Sequence, residues 1–132
     1  MEDSSERAPS GERFPRGARL RSGEEIRAVF REGRRRRSGP LELFWRASPA
    51  GRPRVAFVVP RHGRPIVERN RVKRRLREVA RREWLPTALE AGAAVDVVAR
   101  AGPGAYGASF AELRESFLQA VEAATCDGSS SA

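Results

Sequence analysis

One cysteine, one histidine and one lysine are all that 132 residues supply of those three side chains. The lone Cys126 can close no internal disulfide and suits a reducing, cytoplasmic setting. His62 has no second imidazole or thiol near it in the chain, so a zinc-binding set is missing. The acidic residues are scattered, without the close pairing that a two-metal nuclease needs. Gly102, Gly104 and Gly107 are spaced neither as a dinucleotide fingerprint nor as a P-loop, which leaves a flexible linker as their reading. No run of about 18 apolar residues exists, so no segment reads as a membrane helix. The opening MEDSSERAPSGERFPRG has no apolar stretch of the kind a secretory signal requires. Residues 1–13 are expected to form a disordered tail, 14–124 one domain, and 125–132 a flexible C-terminal tail. At 39% apolar the chain can fill one core but not two.

What the chain has in abundance is arginine, and it is concentrated. Arg61 to Arg82 carries ten Lys and Arg against Glu68 and Glu78, which is +8 of the formal +9 of the whole protein. Within ERNRVKRRLREVARRE, the apolar residues Val72, Leu76, Val79 and Ala80 recur on one face of a helix. At 100° per residue, Asn70, Arg74, Arg77 and Arg81 lie on the opposite side, with Lys73 on one flank and Arg71, Arg75 and Arg82 on the other. Like charges at i,i+3 and i,i+4 repel by about 0.2–0.5 kcal/mol per pair. Such a helix holds itself by one stripe and offers cations on the rest, which fits a polyanion, above all a nucleic acid.

The remaining elements follow from periodicity and punctuation. Ser22 followed by Glu25 spells a capping box, and Ile26, Val29 and Phe30 form an apolar face before Gly33, giving a first helix over Ser22–Glu32. Arg34 to Arg37 reads as an edge strand or a loop. Leu41–Ala47 and Val55–Val59 read as strands, and the turn cluster SPAGRP between them predicts an antiparallel hairpin. A Gly/Pro/Arg loop, Pro60–Pro65, delivers the chain into the basic helix, which is expected to fade near Trp84–Pro86. Val95–Ala99 is the next strand, AGPGAYGA a flexible stretch, and Ser109 with Glu112 a second capping box. Phe110, Leu113, Phe117, Leu118 and Val121 then mark a last amphipathic helix. The order implies an α/β (α+β) sandwich with a mixed sheet. His62, in a loop among arginines, reads as a hydrogen-bonding or phosphate-contacting residue rather than a general base. If the protein takes part in catalysis, the chemistry comes from another molecule.

VERNRVKRRLREVAR at Val67–Arg81 resembles the arginine-rich signature of the bacterial ribonuclease P protein subunit. RLRSGEEIRAVFREGRR is similar to the first helix of that family, LELFWR to its central strand, RVAFVVPRHG to the next strand, and VDVVARAG to the strand after the basic helix. The resemblance covers roughly residues 14–124. It implies a two-layer sandwich of the ribosomal S5 domain 2-like type, with about four strands, three helices and a left-handed βαβ crossover through the basic helix, against the usual handedness. It further implies a subunit of an endoribonuclease that removes the 5′ leader of precursor tRNA, with hydrolysis performed by Mg2+ held on the RNA subunit. Its partners would be ribonuclease P RNA and precursor tRNA. One protein monomer, without membrane or DNA, would sit in the ribonucleoprotein.

Two surfaces are implied for this chain. Arg61, Arg69, Asn70, Arg71, Lys73, Arg74, Arg75, Arg77 and Arg81 would contact RNA phosphates, for which the planar arginine fork is well suited. Ile26, Phe30, Phe44 and Val58 would line a cleft for the single-stranded leader, where an aromatic ring can stack on a base for about 1–3 kcal/mol. Ile26 stands where many members of the family carry a phenylalanine, and it cannot stack. The usual SKKxG loop is here Pro60, Arg61, His62, Gly63, with glycine one place early. The family's metal sites are not carried over to residues of this chain. The competing reading is a structured-RNA-binding protein of ribosomal or chaperone type, without a processing role. A DNA-recognition helix would need a helix-turn-helix or a dimer seam, and PRHGRPIVE supplies neither.

Overall fold

The computed structural model describes residues 14–129; the N-terminal tail expected over 1–13 and the last three residues lie outside them. In chain order the main elements are α1 (Gly23–Glu32), β1 (Arg34–Ser38), β2 (Leu41–Ala47), β3 (Arg54–Val58), α2 (Ile66–Val79), β4 (Val95–Ala101) and α3 (Phe110–Ser129). The four strands form one mixed sheet in the order β1-β2-β4-β3. β1, β2 and β4 are antiparallel neighbours, whereas β3 runs parallel to β4 and reaches it by a crossover through α2.

The antiparallel hairpin expected between β2 and β3 does not form, because β4 lies between them. The reason is in the composition of β4: Val95, Val97, Val98 and Ala99 are buried on both faces, which belongs to a central strand. SPAGRP reverses the chain without pairing its flanks. The actual hairpin joins β1 to β2 through Gly39 and Pro40, with Gly39 in the left-handed region (φ +55). The four arginines of β1 are thus on an edge strand.

Alternation sorts side chains to the two faces. Leu41, Leu43, Trp45, Val55, Val97 and Ala99 point to the main core, which α2 and α3 cover with Val72, Leu76, Val79, Leu113 and Phe117. Phe44, Ala56 and Val98 point the other way, under α1. Ser22 caps α1 by accepting from the Glu25 amide at 3.3 Å, but Glu25 does not return the bond; its carboxylate takes Arg54 instead. The second capping box is reciprocal, with Ser109 N donating to Glu112 at 2.8 Å and Glu112 N donating to Ser109 Oγ at 3.1 Å. Gly33 is required where α1 ends, since a Cβ there would stand 2.5 Å from the Trp45 carbonyl oxygen.

Three stretches are more ordered than their composition suggests. The basic helix does not fade at Trp84–Pro86; it widens into a π turn over Ala80–Trp84 and continues over Leu85–Glu90. Pro86 has no N–H for the Arg82 carbonyl, and the wider turn absorbs that loss while Trp84 and Leu85 stay buried. AGPGAYGA contains a 3-10 turn, Pro103–Tyr106, and the Tyr106 hydroxyl donates to the Pro60 carbonyl at 2.7 Å. Residues 125–129, expected in the tail, belong to α3. Thr125 accepts from the Trp84 indole at 2.9 Å and Asp127 from the Trp45 indole at 2.7 Å.

Candidate nucleic-acid interface

α2 holds to the sheet by Val72, Leu76 and Val79, all at 3% exposure or less. Each such side chain contributes about 1.5–3 kcal/mol on burial. That outweighs the few tenths of a kcal/mol lost at each repelling cation pair, so the apolar stripe can carry the charge. Of the residues expected to meet phosphate, Arg61, Asn70, Arg71, Arg74 and Arg77 are exposed, and Arg69, Lys73, Arg75 and Arg81 are half-buried.

Not all of these cations are equally available. Glu68 takes Arg64 at 3.2 Å, and Glu78 is shared by Arg81 at 2.8 Å and Arg82 at 3.2 Å. Arg69 donates through Nε to the Val59 carbonyl at 3.1 Å, bracing the first turn of α2 against the end of β3. Arg61, Arg71, Lys73, Arg74, Arg75 and Arg77 form no ion pair among the described residues. Their mutual field is visible at Lys73, whose ammonium is pushed below its ordinary value, first by burial and then by Arg77 and Arg69. A phosphate brought to this surface removes that repulsion.

The loop before α2 is a tight turn in which His62 (φ +47) and Gly63 (φ +77) are both left-handed, and Arg64 N closes it on the Arg61 carbonyl at 2.8 Å. The displaced glycine of PRHG therefore leaves the non-glycine His62 in a conformation that side chains rarely adopt. Tyr106 stands beside the turn, with the Arg64 guanidinium 5.2 Å from its ring centre.

On the opposite face of the sheet, Ile26, Phe30, Phe44 and Val58 do come together. Phe44 is 7% exposed and forms the floor; Ile26, Phe30 and Val58 are half-buried around it. Phe30 meets Phe44 edge-on, with ring centres 4.7 Å apart. Of the two rings, only Phe30 has an open side for a base.

α1 is fixed over this floor by charge. Asp96, fully buried, accepts from Arg54 Nε and Nη2 at 2.8 Å each and from Arg46 at 3.4 Å. Arg54 also reaches Glu25 at 3.2 Å, and Arg46 reaches Glu32 at 3.3 Å. The row Arg46, Asp96, Arg54 crosses three neighbouring strands, so α1 is clipped near both ends. The Arg54 guanidinium is held above its ordinary range chiefly by its hydrogen bonds to Asp96. Asp96 lies within the expected strand Val95–Ala99, and its arginine partners on β2 and β3 become its neighbours only through the strand order of the folded sheet.

The two surfaces meet. A cavity of about 220 Å³ at the β3 edge is lined by both Arg77 of α2 and Ile26 of α1, together with Arg19 and Arg21. Sequence reading missed these two arginines and Arg100, whose exposed end position on β4 brings it beside Val58.

A mixed α/β sheet with an open cationic helix on one flank and an apolar, aromatic cluster on the other has the features of the nucleic-acid-binding class. The family model for ribonuclease P matches residues 14–125, and the chain belongs to the ribonuclease P protein family. The ribonuclease P protein component of Thermus scotoductus is 38% identical over 92 residues, which are 70% of this chain and 51% of that protein. That of Acidothermus cellulolyticus is 38% identical over 101 residues, 74% of this chain and 79% of that protein. The chain thus spans about half the length of the first of these relatives. The fold is shared with the RNase P protein of Thermotoga maritima, at a TM-score of 0.68 and 22% identity, over 80% of this chain and 96% of that one.

Proposed function

We propose that this chain is the protein subunit of a ribonuclease P ribonucleoprotein, promoting endonucleolytic removal of the 5′ leader from precursor tRNA in the cytoplasm. α2 and the turn before it lie along ribonuclease P RNA, and the cleft between α1 and the sheet takes the single-stranded leader. One protein monomer serves each complex. The RNA holds the Mg2+ that performs hydrolysis, and the protein positions substrate.

The observation that carries this reading is the junction of the two surfaces at Arg77 and Ile26. A strand leaving the cleft passes directly onto the cationic helix. Stacking at Phe30 supplies hold without sequence preference, and the cations supply electrostatic attraction to phosphate.

Reconstitution tests it. Precursor tRNA is incubated at low Mg2+ with bacterial ribonuclease P RNA, alone and with the protein added. Faster cleavage at the mature 5′ end is expected with protein present. No gain over RNA alone would reject the reading in favour of an RNA-binding protein without a processing role.

A further inference from the structure

Lys73 is the one primary amine among the side chains of this protein, and it stands in a row of cations. Arg69, Lys73 and Arg77 follow one another at four-residue intervals on α2, about 6 Å apart along the helix axis. Arg69 fixes one end of the row at the Val59 carbonyl, just beyond β3, and Arg77 at the other end lines the cavity beside Val55 and Phe57. The row therefore runs along the β3 edge with Lys73 at its middle.

The neighbouring guanidinium groups stay protonated and are no nucleophiles. A lysine amine differs, because its neutral form carries a lone pair. At Lys73 the surroundings favour that form: the side chain is half-buried and makes no hydrogen bond or ion pair among the described residues. Glu68 and Glu78, the acids of the same helix, are engaged by Arg64 and by Arg81 and Arg82. Burial, then Arg77 and Arg69, accordingly push the ammonium below its ordinary value. A lysine that is desolvated or set beside another cation is activated as a nucleophile. The same two arginines attract small anions to it.

We propose that Lys73 is an acylation site for small acyl phosphates, with Arg69 and Arg77 holding the phosphate end, and that acylation weakens RNA binding by α2. The lone pair of Nζ attacks the acyl carbon. The N–C bond forms, the C–O bond to phosphate breaks, inorganic phosphate leaves, and the surplus amine proton passes to solvent. Guanidinium groups on either side stabilise the charge that builds on the leaving phosphate. A thioester offers no phosphate at its leaving group for them to hold. The product is a neutral amide, so α2 loses one cation. The effect on binding rests on α2 lying against RNA, as proposed above; the modification itself does not.

In the test the full chain is incubated with acetyl phosphate, with Nα-acetyl-lysine amide in the same tube as an unperturbed reference. Cleavage after Glu68 and Glu78 places Lys73 in one fragment, 69–78, for mass spectrometry. Lys73 is expected to gain an acetyl group several-fold faster than the reference amine. R77Q should slow the reaction, R69Q/R77Q should slow it further, and high salt should slow it in the wild type without any substitution. A rate equal to that of the reference, or one that neither R77Q nor salt changes, would overturn the site.

The consequence is read separately, on ribonuclease P RNA. Acetylation at Lys73 should lower the log-log salt slope of binding by about 0.7–0.9, K73R should show one slope before and after treatment, and bound RNA should shield Lys73 from acetyl phosphate. Labelling that is equal with and without RNA, together with a slope that acetylation leaves unchanged, would overturn the effect on binding and the RNA reading of α2, while the modification site would stand.

Discussion

Replacing Asp96 with asparagine removes one negative charge from a site with no solvent contact, and leaves Arg54 and Arg46 facing each other across β4. Arg54 is itself buried, and it would keep only Glu25, at 3.2 Å and half-exposed. Breaking a buried ion pair by removing one partner costs about 3–5 kcal/mol. Asparagine retains one acceptor oxygen, so the lower end, about 3 kcal/mol, is expected. Domains of this size have about 5–15 kcal/mol in all, so the loss takes a substantial share of stability. Urea unfolding followed by tryptophan fluorescence reads it directly, with a lower midpoint and an unchanged slope. The R54Q single variant and the D96N/R54Q double variant complete a cycle, and the double variant should lose less than the sum of the singles. A loss at D96N below about 1 kcal/mol, the range of exposed ion pairs, would refute the claim that this carboxylate clips α1 to the sheet.

Other outcomes follow from single contacts. Lys73→Met should leave unfolding at neutral pH no easier while weakening RNA affinity. With its folded-state value depressed, the Lys73 ammonium opposes folding when protonated, so wild-type stability should rise as pH climbs from the folded toward the unfolded value, and the variant should lack that rise. A flat wild-type profile would contradict the burial and repulsion described at this site. Phe44→Ala should cost about 3–5 kcal/mol of stability, whereas Phe30→Ala should cost less and selectively weaken precursor tRNA binding; the reverse order would exchange their roles. Truncation after Ala124 removes the Thr125 and Asp127 acceptors of Trp84 and Trp45. It should destabilise by about 1–3 kcal/mol per orphaned indole N–H, measured by thermal unfolding, and an unchanged melting temperature would return those residues to a dispensable tail.

Local chemistry was legible where one face or one cap decided the outcome. Val72, Leu76 and Val79 announced the buried stripe of α2, and Ser109 with Glu112 announced the start of α3, while Ile26, Phe30, Phe44 and Val58 share one apolar cluster under α1. Pairing was harder, because a turn cluster shows that the chain reverses but not which strand it then joins. SPAGRP therefore suggested a hairpin that β4 displaces. Pro86 suggested the end of a helix, but burial of Trp84 and Leu85 outweighs the missing N–H and the helix widens instead. Glu25 was spelled as a cap and serves as the outer member of the Asp96 network, because Arg54 is near only in the folded chain. Partnerships between distant charges leave no periodic trace.

The central claim is that exposed cations of α2 bind RNA phosphate. The most direct test is the salt dependence of affinity for ribonuclease P RNA, comparing wild type with R71Q/R74Q/R77Q. Each lost phosphate contact should lower the log-log slope by about 0.7–0.9, so a fall of about 2–3 is predicted for the triple variant. A triple variant with the wild-type slope would place those arginines off the RNA and contradict the account.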